Sequence, residues 1–348
     1  MSINKRQIIY QEAISEALRQ AMAKDKNVFV MGLGVRDYKG IFGTTTDIAE
    51  KYGPRRVIET PASENALTGI AIGAASQGKR PVIIHARNDF MFLTLDQMIN
   101  GAAKWKYMYG GKSKAPFLVR GVIGKGWGQG PTHSQSIQSV FLHFPGIYLA
   151  MPSTPYDVKG MILEALSLDV PVVILEHRAL YNTTGYVPSK PYTVDFGKAR
   201  IVRRGRDITI IAVSIMVQEA VRAAMALERA GVQAEVIDPR SLNPLDMRTI
   251  ISSAERTGNV IVADTSWAAY GFCDHISSEV SERAHGALKN PVCRIGLPEC
   301  PSPVSKKLED AYYPNYKTIY LKACSMLKKK AEKSVLDDPV IDNFKGPY

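Results

Sequence analysis

Cysteine is scarce in this sequence: four residues (Cys273, Cys293, Cys300 and Cys324), all in its last quarter, with no Cys-x-x-Cys and no histidine at zinc-ligand spacing. That argues against a disulfide framework and against a structural zinc. No apolar run approaches the ~20 residues of a membrane span. Met1-Ser2-Ile3-Asn4-Lys5-Arg6 runs into a helical pattern without the apolar core of a secretory signal, so a cytoplasmic protein is expected. Gly32-x-Gly34 lacks the third glycine of a dinucleotide fingerprint, and Arg36-Asp37-Tyr38-Lys39-Gly40 is no helix start; a Rossmann site is rejected. The glycine-rich stretch 124–131 lacks the Lys-Ser/Thr of a P-loop. It reads as a flexible segment that lets backbone approach a ligand or partner, with phosphate cradling as the lesser alternative. Nucleic-acid motifs are absent too, although the net charge is +11: the basic residues are scattered apart from Arg203-Arg204 and Lys328-Lys329-Lys330. A basic surface facing an acidic protein, or plain solubility, accounts for the charge, and no nucleic-acid partner is expected.

What is present is an ordinary globular composition, 45% apolar and 22% charged over 348 residues, long enough for two domains. Residues 6–24 carry apolar side chains at helical spacing. Short β-rich runs follow at 28–32, 56–60, 81–85, 117–122, 147–151 and 171–175. Between them stand a short helix at 47–51, a helix after Glu64, an amphipathic helix over 91–108 and one over 156–166. Strands alternating with helices in this rhythm argue for α/β architecture, a mainly parallel sheet covered on both faces. The rhythm breaks over 181–199, taken as a linker, which bounds a first domain at 1–180. A second α/β domain spans 200–331: strands at 207–214, 233–238, 259–264 and 291–296, helices at 217–231, 245–256 and 271–286, and a terminal helix over 304–331. Residues 332–348 form a polar tail, expected to dock loosely.

The stretch Arg56-Val57-Ile58-Glu59-Thr60-Pro61-Ala62-Ser63-Glu64-Asn65-Ala66 is the candidate site. It reads as strand, proline-marked turn and helix start, with Glu59 on the strand and outside the chemistry. The helix after Glu64 has no charge before Lys79 and is expected to be buried nearly all round. A carboxyl at its entrance is costly to ionise unless a partner needs it. The plainer alternative is an acid favoured by the helix dipole.

Thr60-Pro61-x-x-Glu64 resembles the cofactor-activating motif of the β subunits of thiamine diphosphate-dependent 2-oxoacid dehydrogenases. The landmarks continue in the family's order: Asp89-Phe90, Asp96-Gln97-Met98-Ile99-Asn100, Ala102-Ala103-Lys104, His133-Ser134-Gln135-Ser136, Pro152-Ser153-Thr154-Pro155, Val236-Ile237-Asp238-Pro239-Arg240 and Pro301-Ser302-Pro303. The resemblance covers nearly the whole chain. It implies two three-layer α/β/α domains, a transketolase-like pyrimidine-binding domain followed by a transketolase C-terminal-like domain. It places Glu64 against a ring nitrogen of the cofactor's aminopyrimidine, Phe90 stacked on that ring, and Ala62 where the family has a larger apolar contact. His133 takes the place of an active-site histidine that meets the reacting acyl group; a structural loop histidine is the alternative, as a core phenylalanine is for Phe90. His143, His177, His275 and His285 belong to no motif, and His85 is left open.

The sequence also departs from the family. Leu33 and Gly34 stand where acids are usual, and Leu168 and Val170 replace polar ligands of an alkali cation, so no cation is carried over. There is no Gly-Asp-Gly, the motif that holds magnesium and the diphosphate. The resemblance therefore implies a separate α subunit carrying that motif and Mg2+, dimerisation within a heterotetramer, a lipoyl acyltransferase and a small 2-oxoacid substrate. The alternative is a transketolase-like or acetoin-type subunit that sends a two-carbon unit to a carbonyl acceptor rather than to lipoamide.

Overall fold

The computed structural model describes residues 6–125 and 128–338, which separate into two compact units. One takes residues up to Gly124 and Val140–Phe196; the other takes Lys125–Ser139 and Gly197 onward. The tip of the glycine-rich stretch, Gly126 and Trp127, lies outside the described residues, as do 1–5 and 339–348.

In the first unit the strands run in the spatial order Tyr148–Ala150, Val172–His177, Leu118–Ile123, Arg80–His85, Val28–Gly32, Val57–Glu59, every adjacent pair parallel. Central strands such as Leu118–Ile123 and Val172–His177 are buried at every position. Their β-branched, near-continuous apolar sequences suit a sheet covered on both faces. The helices Tyr10–Lys24 and Pro155–Ala165 pack on each other, and Tyr10 Oη donates to the Pro152 carbonyl at 2.9 Å. Within 181–199, Thr184–Tyr186 pairs antiparallel with Gln7–Ile9, and the Val194 amide donates to the Gly160 carbonyl at 3.2 Å. Buried Leu180, Tyr181, Val187 and Val194 hold this stretch down.

Two helical expectations in this unit need correction. The helix expected over 91–108 is three windings: a 3-10 turn Asn88–Thr94, a π turn Asp96–Ala102 and an α turn Ala103–Met108. The wide turn brings Gly101 against Ile72 and Gln97 against Gly69, so that the segment follows the neighbouring helix Glu64–Ser76 closely. That helix, expected to be buried nearly all round, buries Thr68, Ala71, Ile72 and Ala75 but leaves Ile70 58% exposed and Asn65, Ala66 and Gly73 on the surface. One chain covers only one of its sides.

The second unit has the strand order Cys293–Leu297, Val260–Trp267, Ile208–Ala212, Ala234–Asp238, Arg200–Arg203, parallel except for the last, an antiparallel edge. The helices Ile215–Arg229 and Tyr316–Met326 pack together in its main core; Met247–Thr257 and Phe272–Arg283 form a second pair. The single helix expected over 304–331 is split into Lys306–Tyr312 and Tyr316–Met326. Pro314 stops the first, and the Asn315 side chain caps the second by accepting from the Lys317 amide at 2.9 Å. Residues 332–338, expected to be loosely docked, form the short helix Lys333–Asp337, in which Val335 is buried against that core. Among the described residues no helix is long and apolar enough to cross a membrane.

The first sheet encloses a fully buried ion pair. Arg120 Nε and Nη2 donate to the two Glu176 oxygens at 2.5 and 2.8 Å, and Tyr181 Oη donates to the same carboxylate at 2.8 Å. Removing one partner strands the other charge. Arg120→Met is expected to cost about 3–5 kcal/mol of stability, with part of the loss recovered in Arg120→Met/Glu176→Leu. Urea unfolding of the three proteins checks this; a double variant less stable than the single one would contradict it.

Candidate active site

Three of the candidate residues, Ala62, Glu64 and Phe90, lie where the parallel strands of the first unit end. Gly32 closes its strand so near the Ile84 carbonyl that a Cβ would stand 2.5 Å from that oxygen. Beyond it the chain turns through Leu33–Arg36, and the Glu59 carboxylate accepts from the Gly34 amide at 2.5 Å and the Arg36 amide at 3.0 Å. The Gly34 and Arg36 amides are thus engaged by an internal acid. Glu59, expected on the strand and outside the chemistry, shapes this turn.

The Thr60 amide donates to the Gly32 carbonyl at 3.2 Å, which starts the turn through Pro61, Ala62 and Ser63 into the helix Glu64–Ser76. Ala62 is exposed and Glu64 half-buried on the first helical residue, at the positive end of the dipole. The adjacent strand Arg80–His85 leads into the 3-10 turn that carries Phe90. Met91 is the buried anchor of that turn, packed under Gly121, while the Phe90 ring remains 39% exposed. Because the helix of Glu64 packs on this turn, Ala62, Glu64 and Phe90 lie on adjoining elements of one unit.

His133 belongs to the segment Lys125–Ser139, which packs with the second unit. It follows the 3-10 turn Gly130–Thr132, is half-buried, and has Nδ1 2.9 Å from Thr132 Oγ1. Behind it Gln138 Nε2 donates to Asp264 Oδ1 at 2.8 Å, and Ser266 Oγ donates to the Ser136 carbonyl at 2.9 Å. Burial pushes the Asp264 carboxyl up to about 6. Among the described residues no group of three or more His, Cys, Asp or Glu is placed to hold a metal ion. A cleft of ≈ 520 Å³ lined by Ala102, Tyr107, Ala115, Gly146 and Pro171, among others, precedes the strands at 118, 148 and 172 and so lies at the opposite end of the sheet from Glu64.

Sequence reasoning missed Asp264, whose signal was an acid inside the apolar run Val260-Ile261-Val262-Ala263. It left His85 open. The structure buries that side chain at the carboxyl end of its strand, with no hydrogen-bond partner for Nε2 among the described residues.

Comparison with known proteins adds the following. The family described as "Transketolase, pyrimidine binding domain" matches residues 6–184, and "Transketolase, C-terminal domain" matches 197–319. The acetoin:2,6-dichlorophenolindophenol oxidoreductase subunit beta of Cupriavidus necator is 39% identical over 326 residues, covering 91% of this chain and 96% of that protein. The pyruvate dehydrogenase E1 component subunit beta of Bacillus subtilis is 36% identical over 318 residues, covering 91% and 98% respectively. A solved chain described as a split gene transketolase, inactive beta4 tetramer, superposes with a TM-score of 0.75 at 22% identity over 92% of this chain and 98% of that one.

Burial holds the His85 imidazole down at about 4, so the folded protein keeps it neutral at pH 7. In the unfolded chain it takes up a proton near the ordinary value of about 6.5. As pH falls from there towards 4, the unfolded state gains a proton that the folded state refuses, and stability is lost, by about 3 kcal/mol if His85 acts alone. His85→Phe is expected to flatten that part of the profile. Urea midpoints at pH 7 and pH 5 measure it; an equal acid-side loss in wild type and variant would contradict it.

Proposed function

This chain belongs to the transketolase-like family of thiamine diphosphate-dependent enzyme β subunits that includes those of acetoin and pyruvate dehydrogenases, and we propose that it is the β subunit of a 2-oxoacid dehydrogenase, in the decarboxylating component. The observation that supports this reading is the placement of Glu64 at the start of a helix that packs on the turn carrying the part-exposed Phe90, at the carboxyl ends of parallel strands. An aminopyrimidine needs a flat apolar surface and an acid within reach of a ring nitrogen. Phe90 and Glu64 are side chains of those two kinds, and the exposed Ala62 adds little bulk to the turn before Glu64.

Thiamine diphosphate, when bound, supplies the electron sink for loss of carbon dioxide from the substrate. Glu64 hydrogen-bonds the ring nitrogen and holds the proton shared there, which favours the tautomer needed for activation. Phe90 orients the ring by stacking. His133 donates or accepts a proton at the substrate's carbonyl oxygen, as an imidazole can near neutral pH. The magnesium and diphosphate half of the site comes from an α subunit carrying the Gly-Asp-Gly motif that this sequence lacks, and two copies of each chain form the heterotetramer, dimerising through the second unit. A lipoyl acyltransferase receives the acyl group.

A second reading, transfer of a two-carbon unit to a carbonyl acceptor, is favoured by the departures at Leu33, Leu168 and Val170 and by the acetoin-specific relative. Turnover of the reconstituted enzyme with an oxidised lipoamide analogue against an aldehyde acceptor separates the two. The isolated chain is expected to bind thiamine diphosphate weakly. Calorimetric titration with cofactor and magnesium measures this; micromolar binding without any partner would overturn the two-subunit reading.

A further inference from the structure

The segment that carries His133 is gripped by one strand of the second unit. Gln138 and Asp264 are both 0% exposed, and the 2.8 Å bond between Gln138 Nε2 and Asp264 Oδ1 lies wholly inside the protein. The same carboxylate oxygen accepts from the Thr265 amide at 2.7 Å, which fixes the direction of the acid. Two residues along the strand, Ser266 Oγ reaches the Ser136 carbonyl at 2.9 Å. Both contacts come from Val260–Trp267, within the stretch between Ala263 and Trp267 where its pairing with Cys293–Leu297 is irregular, and they hold positions 136 and 138. Both held positions lie within five residues of His133.

This is an expensive way to make a packing contact. Among the described residues Asp264 Oδ2 and Gln138 Oε1 are buried without a hydrogen-bond partner, and such groups destabilise a fold. Apolar side chains of the same size would give burial without that cost. What an acid–amide bond adds is direction: it is made in one register and one orientation, where apolar contacts tolerate sliding.

We propose that Asp264 and Ser266 are positioning residues: through Gln138 and Ser136 they fix the backbone that presents His133 to the reacting group. The C-terminal unit then takes part in catalysis by holding the segment in place. The proposal rests on the role given to His133 above.

The test uses the complex reconstituted with the α subunit. Asp264→Leu and Gln138→Leu remove the bond from either side, so a folding failure of one leaves the other; Ser266→Ala removes the second bond, and Asp264→Asn keeps an acceptor for both donors. Hydrogen–deuterium exchange over 128–139 reads the anchor without reference to turnover. Exchange there is expected to quicken in the leucine variants, with kcat lowered about 10- to 100-fold and KM for the 2-oxoacid little changed. Ser266→Ala should move both readouts in the same direction, and Asp264→Asn should restore both. In a His133→Ala background Asp264→Leu should lower kcat no further, which a merely structural effect would do. Unchanged exchange in both leucine variants overturns the anchor. An equal loss of kcat with and without His133 overturns positioning. Undiminished kcat in His133→Ala itself contradicts the role of His133, and positioning with it, while the exchange result shows separately whether the anchor stands.

Discussion

The close packing of the Glu64–Ser76 helix on the segment Asn88–Ala102 is the contact on which the candidate site depends. It brings the helix that starts at Glu64 against the turn that carries Phe90, although 26 residues of sequence separate the two side chains. Gly69 and Gly101 lie at this contact, where a Cβ would stand 3.4 Å from Gln97 Oε1 and 3.3 Å from Ile72 Cδ1. The same helix leaves its far side, with Ala66, Ile70 and Gly73, uncovered. A desolvated carboxyl at its start therefore requires cover from outside this chain, and the absence of a diphosphate-binding motif points the same way. On the proposed reading, assembly is a condition of the chemistry.

Polar groups elsewhere in the two sheets follow a different logic. Arg120 and Glu176 are paired through two hydrogen bonds, to which Tyr181 adds a third on the carboxylate, so the two buried charges offset each other. His85 stays neutral because nothing near it repays a charge. Burial pushes the Asp264 carboxyl up, and its Oδ2 has no hydrogen-bond partner among the described residues, which invites a role beyond stability.

The strands were readable because parallel strands buried on both faces must be apolar along their whole length: Pro81-Val82-Ile83-Ile84 and Pro171-Val172-Val173-Ile174 admit little else. Glu64, Phe90 and His133 were readable by resemblance, through their spacing and neighbours. Periodicity said less about the helices. Apolar spacing over 91–108 is compatible with an α-helix, and the π winding depends on a neighbour that the local pattern does not contain. The break at Pro314 has a signal in the sequence, since proline removes a donor and blocks the preceding turn. Uniform apolarity after Glu64 was taken for burial within one chain; it is equally the signature of a face awaiting a second one. Glu59 and Asp264 could not be assigned from sequence because their partners, Gly34, Arg36 and Gln138, meet them only in the fold.

Exchange of the thiazolium C2 proton with solvent, followed by quenched flow and NMR in the assembled complex with cofactor bound, tests Glu64 most directly. Glutamine keeps the size of the side chain and can still hydrogen-bond the pyrimidine, but it cannot hold or return a proton at the ring nitrogen. Glu64→Gln is predicted to slow exchange about 10²–10⁴-fold while cofactor binding changes little. Exchange at the wild-type rate in a fully loaded Glu64→Gln complex would remove Glu64 from the chemistry.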